Sequence, residues 1–174
     1  MAAAPHLPIS VSEYLHTSYR PDCDYVDGVI EERNLGELEH ASVADEILAW
    51  LRQHRYAWGV RSVSEIRIEV SPTRFRVADV AILSISAPIE QIIQTPPVAV
   101  IEILSPEDCF SRYTERLEDY RKMGIKHIWV IDPVRRKGFD CSTGNVIETA
   151  GFTTDPIHID LTAIFAAIDE DRAR

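Results

Sequence analysis

The sequence has few cysteines, and their spacing suits neither a metal knuckle nor a disulfide framework. The three cysteines, Cys23, Cys109 and Cys141, lie far apart, and no two of them form a C-x-x-C pair. An odd number of widely spaced cysteines is typical of a reducing compartment rather than of a secreted, disulfide-bonded protein. We therefore expect a cytoplasmic location.

Long apolar runs are also missing. No stretch approaches the roughly 20 apolar residues that a membrane-spanning helix needs. The first residues, MAAAPHLP, lack the basic start and the apolar run of a signal peptide. We therefore expect no association with a membrane.

Positive charge is scarce relative to negative charge. The chain has 18 lysines and arginines against 28 aspartates and glutamates, for a formal net charge of −10. An acidic protein repels a polyanion at long range, which argues against broad, non-specific binding of nucleic acids. Local clusters can override this average: Arg67, Arg74 and Arg76 surround one predicted hairpin, and the run 135–137 is basic. Taken alone, each cluster is better explained as solvated turn residues.

A length of 174 residues predicts one domain that spans 1–174. Apolar patterns predict edge strands and a short helix near 161–168 in its C-terminal part, 141–170. Two apolar strands, 98–104 and 127–131, flank a helix, which favours a right-handed parallel crossover. We expect an α/β (α+β) fold, and the predicted elements follow in chain order: a helix at 10–16, a hairpin around Asp27-Gly28, a helix at 40–58, strands at 60–70, 75–83 and 98–104, a helix from 105 to 123, and a strand at 127–131.

Two of the predicted strands carry an acid among apolar residues. Asp79 lies in RFRVADVAIL and Glu102 lies in PPVAVIEILSPED. Two carboxylates at about 4 Å on neighbouring strands would repel by about 4 kcal/mol at an effective dielectric constant near 20. A divalent cation removes this penalty, and oxygen-only ligands suit Mg²⁺ or Mn²⁺, which can activate water against a phosphodiester. The alternative is a buried salt bridge of Glu102 with Arg76 or Arg116.

Four segments, taken in order, carry a resemblance to a known family: RFRVADVAIL, PPVAVIEILSPED, RLEDYRKMGI and HIWVIDP. They resemble consecutive motifs of the Uma-type family, which is widespread in bacteria and belongs to the PD-(D/E)xK, or restriction-endonuclease-like, superfamily. The resemblance covers roughly residues 10–140. It implies a central mixed β-sheet flanked by helices in the order αβββαβ, and a Mg²⁺-dependent (or Mn²⁺-dependent) endonuclease that acts on DNA.

The resemblance also implies roles for particular residues. Asp79 and Glu102 correspond to the two acids of the motif and would bind the metal. The superfamily's usual lysine, two residues after the glutamate, is Leu104 here. In the Uma-type family this basic residue is displaced onto the following helix, at the position of Arg116, which we expect to engage the phosphate as a catalytic residue. Arginine stays protonated and cannot act as a general base, and an acid often found four residues earlier in the family is Arg112 here.

The resemblance points to secondary candidates as well. Glu32 and His40 fit loosely the family's acid on an early hairpin and its histidine at the start of the long helix, although a lone histidine usually has a structural use. Glu65, which precedes the alternating IRIEV segment, is expected to contact the metal through water, and Lys122 would substitute for the missing lysine if the helix turns it towards the site.

Two functional hypotheses follow from the departures from the family pattern at Leu104, Arg112 and Arg116, and they belong to different classes of function. The first is an active DNA endonuclease, with a homodimer as a plausible state because one active site cuts one strand. The second is a catalytically impaired nuclease-fold protein that serves as a binding or assembly module.

Overall fold

The computed structural model describes residues 8–33, 37–105 and 110–173, with side chains throughout except at 110–112. The first part of the helix predicted from 105, at 106–109, and the side chain of Arg112 lie outside these described parts. The helices are α1 (Val11–His16), α2 (Leu38–Trp58), α3 (Phe110–Met123) and α4 (Leu161–Arg172). The strands are β1 (Asp24–Val26), β2 (Val29–Glu31), β3 (Val60–Ser71), β4 (Arg74–Ser84), β5 (Ala99–Ile103), β6 (His127–Asp132), β7 (Lys137–Asp140), β8 (Ile147–Thr149), β9 (Gly151–Thr154) and β10 (Ile157–Asp160).

Local sequence signals explain several of these boundaries. The Ser10 hydroxyl caps α1 by accepting a hydrogen bond from the Glu13 amide at 3.1 Å. Asp27 and Gly28 turn the β1–β2 hairpin with φ of 48° and 96°, the positive values that an Asp-Gly turn favours. Helix α2 ends at Gly59, which has φ of 63° in the left-handed region. Each of these elements lies where the sequence predicts it.

Within the described residues, eight strands form one mixed sheet in the order β2-β1-β4-β5-β6-β7-β8, with β3 paired to β4. Strands β5 and β6 are parallel and are joined through α3, whereas the other named pairs of this sheet are antiparallel. The sequence α2-β3-β4-β5-α3-β6 reproduces the predicted αβββαβ order. Strands β9 and β10 form a separate hairpin before α4.

Helices cover both faces of the central strands, which is why β4 and β5 are buried almost throughout. One apolar cluster joins α2 and α4 to one face of the sheet; it includes Ile47, Leu51, Val80, Ile82, Ile101 and Ile164. The other joins α3 to the opposite face; it includes Ala81, Val100, Leu117, Tyr120 and Val130. In β5 the alternation of side chains places Glu102 with Val100, on the α3 side of the sheet.

Two differences from the sequence-based expectations concern the C-terminal part. The expected edge strands are present, but the first of them, β7, begins at Lys137, before the expected stretch 141–170, and α4 continues four residues beyond its expected end at Ile168. The last four residues of α4, 169–172, are all charged, so the apolar pattern ends before the helix does. In the described part of the chain, no helix is long and apolar enough to cross a membrane.

Candidate active site

The pairing of β4 with β5 brings Asp79 and Glu102 to the same place in the sheet. Val80 pairs with Ile101 in this antiparallel register. The next residue on each strand is an acid, so Asp79 and Glu102 lie side by side just beyond the last pair. The Ile103 amide donates a hydrogen bond to Asp79 Oδ2 at 2.8 Å, which ties the acid of β4 to the backbone of β5. Asp79 is 3% exposed and Glu102 is fully buried. Both carboxylates therefore need compensating donors.

Asp79 has a guanidinium and an imidazole as its side-chain partners. Arg33 Nη2 donates to Asp79 Oδ1, and His40 Nε2 lies 3.3 Å from Asp79 Oδ2. Burial alone would raise the pKa of Asp79, but the His40 hydrogen bond and the Arg33 charge outweigh it and lower that pKa. Burial alone would lower the pKa of His40, and Asp79 reverses this and raises it. The carboxylate is thus held in its charged form.

Arg33 also reaches a second carboxylate. Its Nη1 donates to Glu65 Oε2 at 2.7 Å, so one guanidinium bridges Glu65 and Asp79. The Arg33 side chain is 10% exposed, whereas the Glu65 side chain is 54% exposed. Arg33 therefore links the solvent-exposed Glu65 to the buried Asp79.

Glu102 is bound from α3 by two residues that lie four positions apart. Arg116 Nη1 donates to Glu102 Oε2 at 2.8 Å, and the Tyr120 hydroxyl donates to Glu102 Oε1 at 2.5 Å. Burial raises the pKa of Glu102 to about 7, the nearby charge of Asp79 adds to the rise, and Arg116 opposes it. Of the two salt bridges considered from the sequence, the one with Arg116 is present.

Arg76 instead belongs to a buried ion network behind the site. Its Nη1 contacts Asp24 Oδ2 at 3.0 Å and Glu31 Oε2 at 2.8 Å, and its Nε donates to Asp119 Oδ2 at 2.8 Å. Asp24 also accepts from Arg116 Nη2 at 2.8 Å, so Arg116 is held between Asp24 and Glu102. Asp24 therefore links the buried network to the site.

A cavity of about 370 Å³ opens beside these residues. Arg33, His40, Glu65, Asp79 and Arg116 are among the residues that line it, together with Glu32. The structure thus brings three of the four secondary candidates to the cavity.

Two further positions singled out in the sequence lie elsewhere. The Lys122 side chain is 69% exposed, its ammonium lies 4.0 Å from Glu118 Oε1, and it lines a separate surface groove on α3 with Glu115 and Glu118. Leu104 packs partly buried against the α3-side core. Neither residue lines the cavity that contains Asp79.

Sequence reasoning missed Arg33, Asp24 and Tyr120 as members of the site. Asp24 is flanked by Cys23 and Tyr25 at the start of a predicted hairpin, and that acid between apolar neighbours was a usable signal. Arg33 had no such signal, since it lies in a charged stretch after the hairpin.

The fit of the site to a divalent cation can be judged from its oxygen donors. Asp79 and Glu102 supply hard carboxylate oxygens, and Mg²⁺ commonly takes one or two such ligands and completes its shell with water and substrate phosphate. Among the described residues, no group of three or more His, Cys, Asp or Glu side chains is arranged to hold a metal. Asp79 already binds a cation, the Arg33 guanidinium, and all four oxygens of the two acids contact donors. A hard cation fits this chemistry if it replaces Arg33 at Asp79 and shares an oxygen of Glu102 with the donor already there, because each carboxylate oxygen has two lone pairs.

The mixed sheet in αβββαβ order defines the class of the protein, which is the restriction-endonuclease-like fold. The chain belongs to the Uma2 family, described as "Putative restriction endonuclease", whose model matches residues 11–145. Membership in this family supports a nuclease function.

One solved structure supports the assignment of the fold. A crystal structure of a protein from Anabaena variabilis ATCC 29413, described as "a putative nuclease belonging to DUF820", superposes with a TM-score of 0.79. It is 20% identical in sequence, and the match covers 91% of this chain and 98% of that chain. A cryo-EM structure of the DrdV–DNA complex matches 71% of this chain and 10% of that chain, with 11% identity and a TM-score of 0.41. Among curated protein sequences, none matches the chain.

Proposed function

We propose that this protein is a metal-dependent endonuclease that hydrolyses phosphodiester bonds in DNA, with Mg²⁺ or Mn²⁺ bound by Asp79 and Glu102. The observation that carries the proposal is the meeting of these two acids at the β4–β5 pairing, beside one cavity that Asp79 and Arg116 line. Family membership over residues 11–145 supports the same reaction class.

The metal, when bound, would activate a water molecule and neutralise charge that develops on the phosphate. The chain's own contribution comes from Arg116. Its guanidinium is fixed by Glu102 on one side and Asp24 on the other, and a planar fork of this kind binds phosphate oxygens in two-point geometry. Because arginine remains protonated, Arg116 orients the phosphate and stabilises charge but takes no proton.

DNA is the proposed partner despite the net charge of −10. Several acids line the cavity, including Glu31 and Glu32, and they would repel a phosphate backbone in the absence of a cation. A metal requirement and an acidic surface are therefore consistent with each other. Since one site cuts one strand, double-strand cleavage by this protein would take two copies, and we propose a homodimer for that reaction.

Nicking of supercoiled plasmid DNA tests the proposal. The wild-type protein is expected to convert supercoiled to open-circular DNA in Mg²⁺ or Mn²⁺ and to stop on addition of a chelator. The variants Asp79→Asn and Glu102→Gln should lose this activity. The matched control is Glu118→Gln, an exposed acid of α3 that pairs with Arg121 and should cleave as the wild type does. Cleavage that persists in both site variants, or a wild type that is inert with both metals, would rule the proposal out.

A second candidate function is favoured by a specific observation. Each oxygen of Asp79 and Glu102 already accepts from a protein donor, and an arginine stands where the family places a lysine. This arrangement suits a nuclease-fold protein that binds DNA or another partner without cutting. The variant Arg116→Lys separates the two: gain of cleavage over an inert, DNA-binding wild type would favour the second function, and vigorous wild-type cleavage would eliminate it.

A further inference from the structure

Arg33 brings a fixed positive charge to two acids of the site. Its two terminal nitrogens are divided between Asp79 Oδ1 and Glu65 Oε2, the latter at 2.7 Å. The other oxygen of Asp79 accepts from the Ile103 amide and lies near His40. Oδ1 is therefore the oxygen of Asp79 that a divalent ion could take, and the guanidinium holds it.

The backbone at Glu65 indicates that this arrangement is more than a chance contact. The pairs Ser64–Val80 and Ile66–Ala78 flank Glu65 and Asp79, so the two acids lie opposite each other across β3 and β4. Like charges in this position are unfavourable unless a cation is shared between them. Glu65 also has φ of 51°, a left-handed conformation that is costly for a residue with a side chain and that is enriched at functional sites. A strained strand residue thus presents a carboxylate to the same cation that Asp79 binds.

The guanidinium cannot leave by losing its proton. Burial alone would lower the pKa of Arg33, but Asp79 and Glu65 raise it above its ordinary value. Arginine is charged at any pH at which the protein is folded. Only another cation can take its place on the two carboxylates.

We propose that Arg33 sets the metal affinity of the site by acting as an internal cation that a divalent ion must displace from Asp79 and Glu65. This inference rests on the proposed metal-dependent function. The protein binds metal only in the fraction of molecules in which Arg33 is undocked, so the apparent dissociation constant is raised by the inverse of that fraction. An undocked fraction of about one tenth would weaken binding about tenfold.

Mn²⁺ binding by the full chain, measured by electron paramagnetic resonance of the free ion, tests the proposal without any need for activity. Arg33→Met is expected to bind Mn²⁺ at least about tenfold more tightly than the wild type. Arg121→Met removes the same charge from α3, where Arg121 pairs with Glu118, and should stay within about twofold of the wild type because it leaves the docked fraction of Arg33 unchanged.

A third variant separates displacement from simple repulsion between charges. Arg33→Lys keeps the positive charge but loses the two-pronged fork that bridges two carboxylates, so its affinity should lie between those of the wild type and Arg33→Met. It also decides the question if Arg33→Met fails to fold. Equal affinity in the wild type and the folded Arg33 variants would overturn the role of Arg33 while leaving the metal site intact. No binding by any of them would overturn the metal site itself, and this inference with it.

Discussion

Replacement of Arg76 by methionine tests whether the buried ion network supports the site. The Arg76 side chain is 1% exposed and contacts Asp24, Glu31 and Asp119. Methionine fills much of the same volume without charge, and it leaves two buried carboxylates with one cation fewer. Removing one partner of a buried ion pair costs about 3–5 kcal/mol. Asp24 keeps its bond from the Val77 amide and Asp119 keeps Arg74, so we expect the lower end, about 3 kcal/mol.

Urea denaturation followed by far-ultraviolet circular dichroism measures this loss. For a chain of this length, about 3 kcal/mol corresponds to a melting temperature lower by about 6–12 °C. The control is Lys137→Met, which removes the same charge from a surface pair with Glu148 whose side chains are 45% and 57% exposed. Such surface pairs contribute about 0–1 kcal/mol. If Arg76→Met costs no more than Lys137→Met, the network does not stabilise the fold and the reasoning fails.

The remaining predictions concern the site itself. Tyr120→Phe removes a hydrogen-bond donor to Glu102, and at pH 8 it should lower the free energy of unfolding, measured by urea denaturation, by about 1.5–3 kcal/mol. The control Tyr14→Phe, whose acceptor is a neutral carbonyl, should lower it by about 1 kcal/mol. Equal losses would contradict a charged acceptor. Burial raises the pKa of Glu102 from 4.5 to about 7, so the folded protein favours the protonated carboxyl group. The contribution of Glu102 to the free energy of unfolding is therefore fully present below pH 4.5 and is lost as the pH rises through 7. Glu102→Gln should remove this part of the pH dependence, and unchanged slopes between pH 4.5 and 8 would refute it. Asp24→Asn weakens one anchor of Arg116 and should slow plasmid nicking by about tenfold or more, whereas an unchanged rate would show that Arg116 needs no such anchor.

The fold was predictable because each central element has a distinct one-dimensional pattern. Strands β5 and β6 are almost wholly apolar runs, helix α2 repeats its apolar residues at helical spacing, and Asp27-Gly28 marks the hairpin. These patterns are local, so a reading of the sequence along the chain recovers the elements and their order. The two short strands β7 and β8 have few apolar residues, and their division depends on pairing that a local pattern does not record.

The acids of the site could be predicted, but most of their partners could not. Asp79 and Glu102 stand out as charges inside apolar runs, and Arg116 followed from the resemblance. The Arg33–Asp79 and Arg116–Asp24 contacts join residues that are 46 and 92 positions apart in the chain. Such contacts depend on the register of the sheet and on the path of the chain after β2, which no local pattern fixes.

Two arginines contact the two acids for which the sequence predicted a metal. From the sequence, the repulsion between Asp79 and Glu102 called for a divalent ion. In the structure, Arg33 and Arg116 each neutralise one of the two acids. The same repulsion can therefore be relieved by the protein alone, and the question becomes whether a metal outcompetes the arginine that holds the accessible oxygen of Asp79.

A crystal of the protein saturated with Mn²⁺ tests the central claim most directly, through anomalous diffraction at the manganese edge. We predict an anomalous peak bonded to an oxygen of Asp79 and an oxygen of Glu102, with the Arg33 guanidinium moved away from Asp79. The same peak should appear at lower Mn²⁺ concentration in crystals of Arg33→Met. Absence of a peak between the two acids in both proteins, with Arg116 still bound to Glu102, would contradict the assignment of these acids as metal ligands.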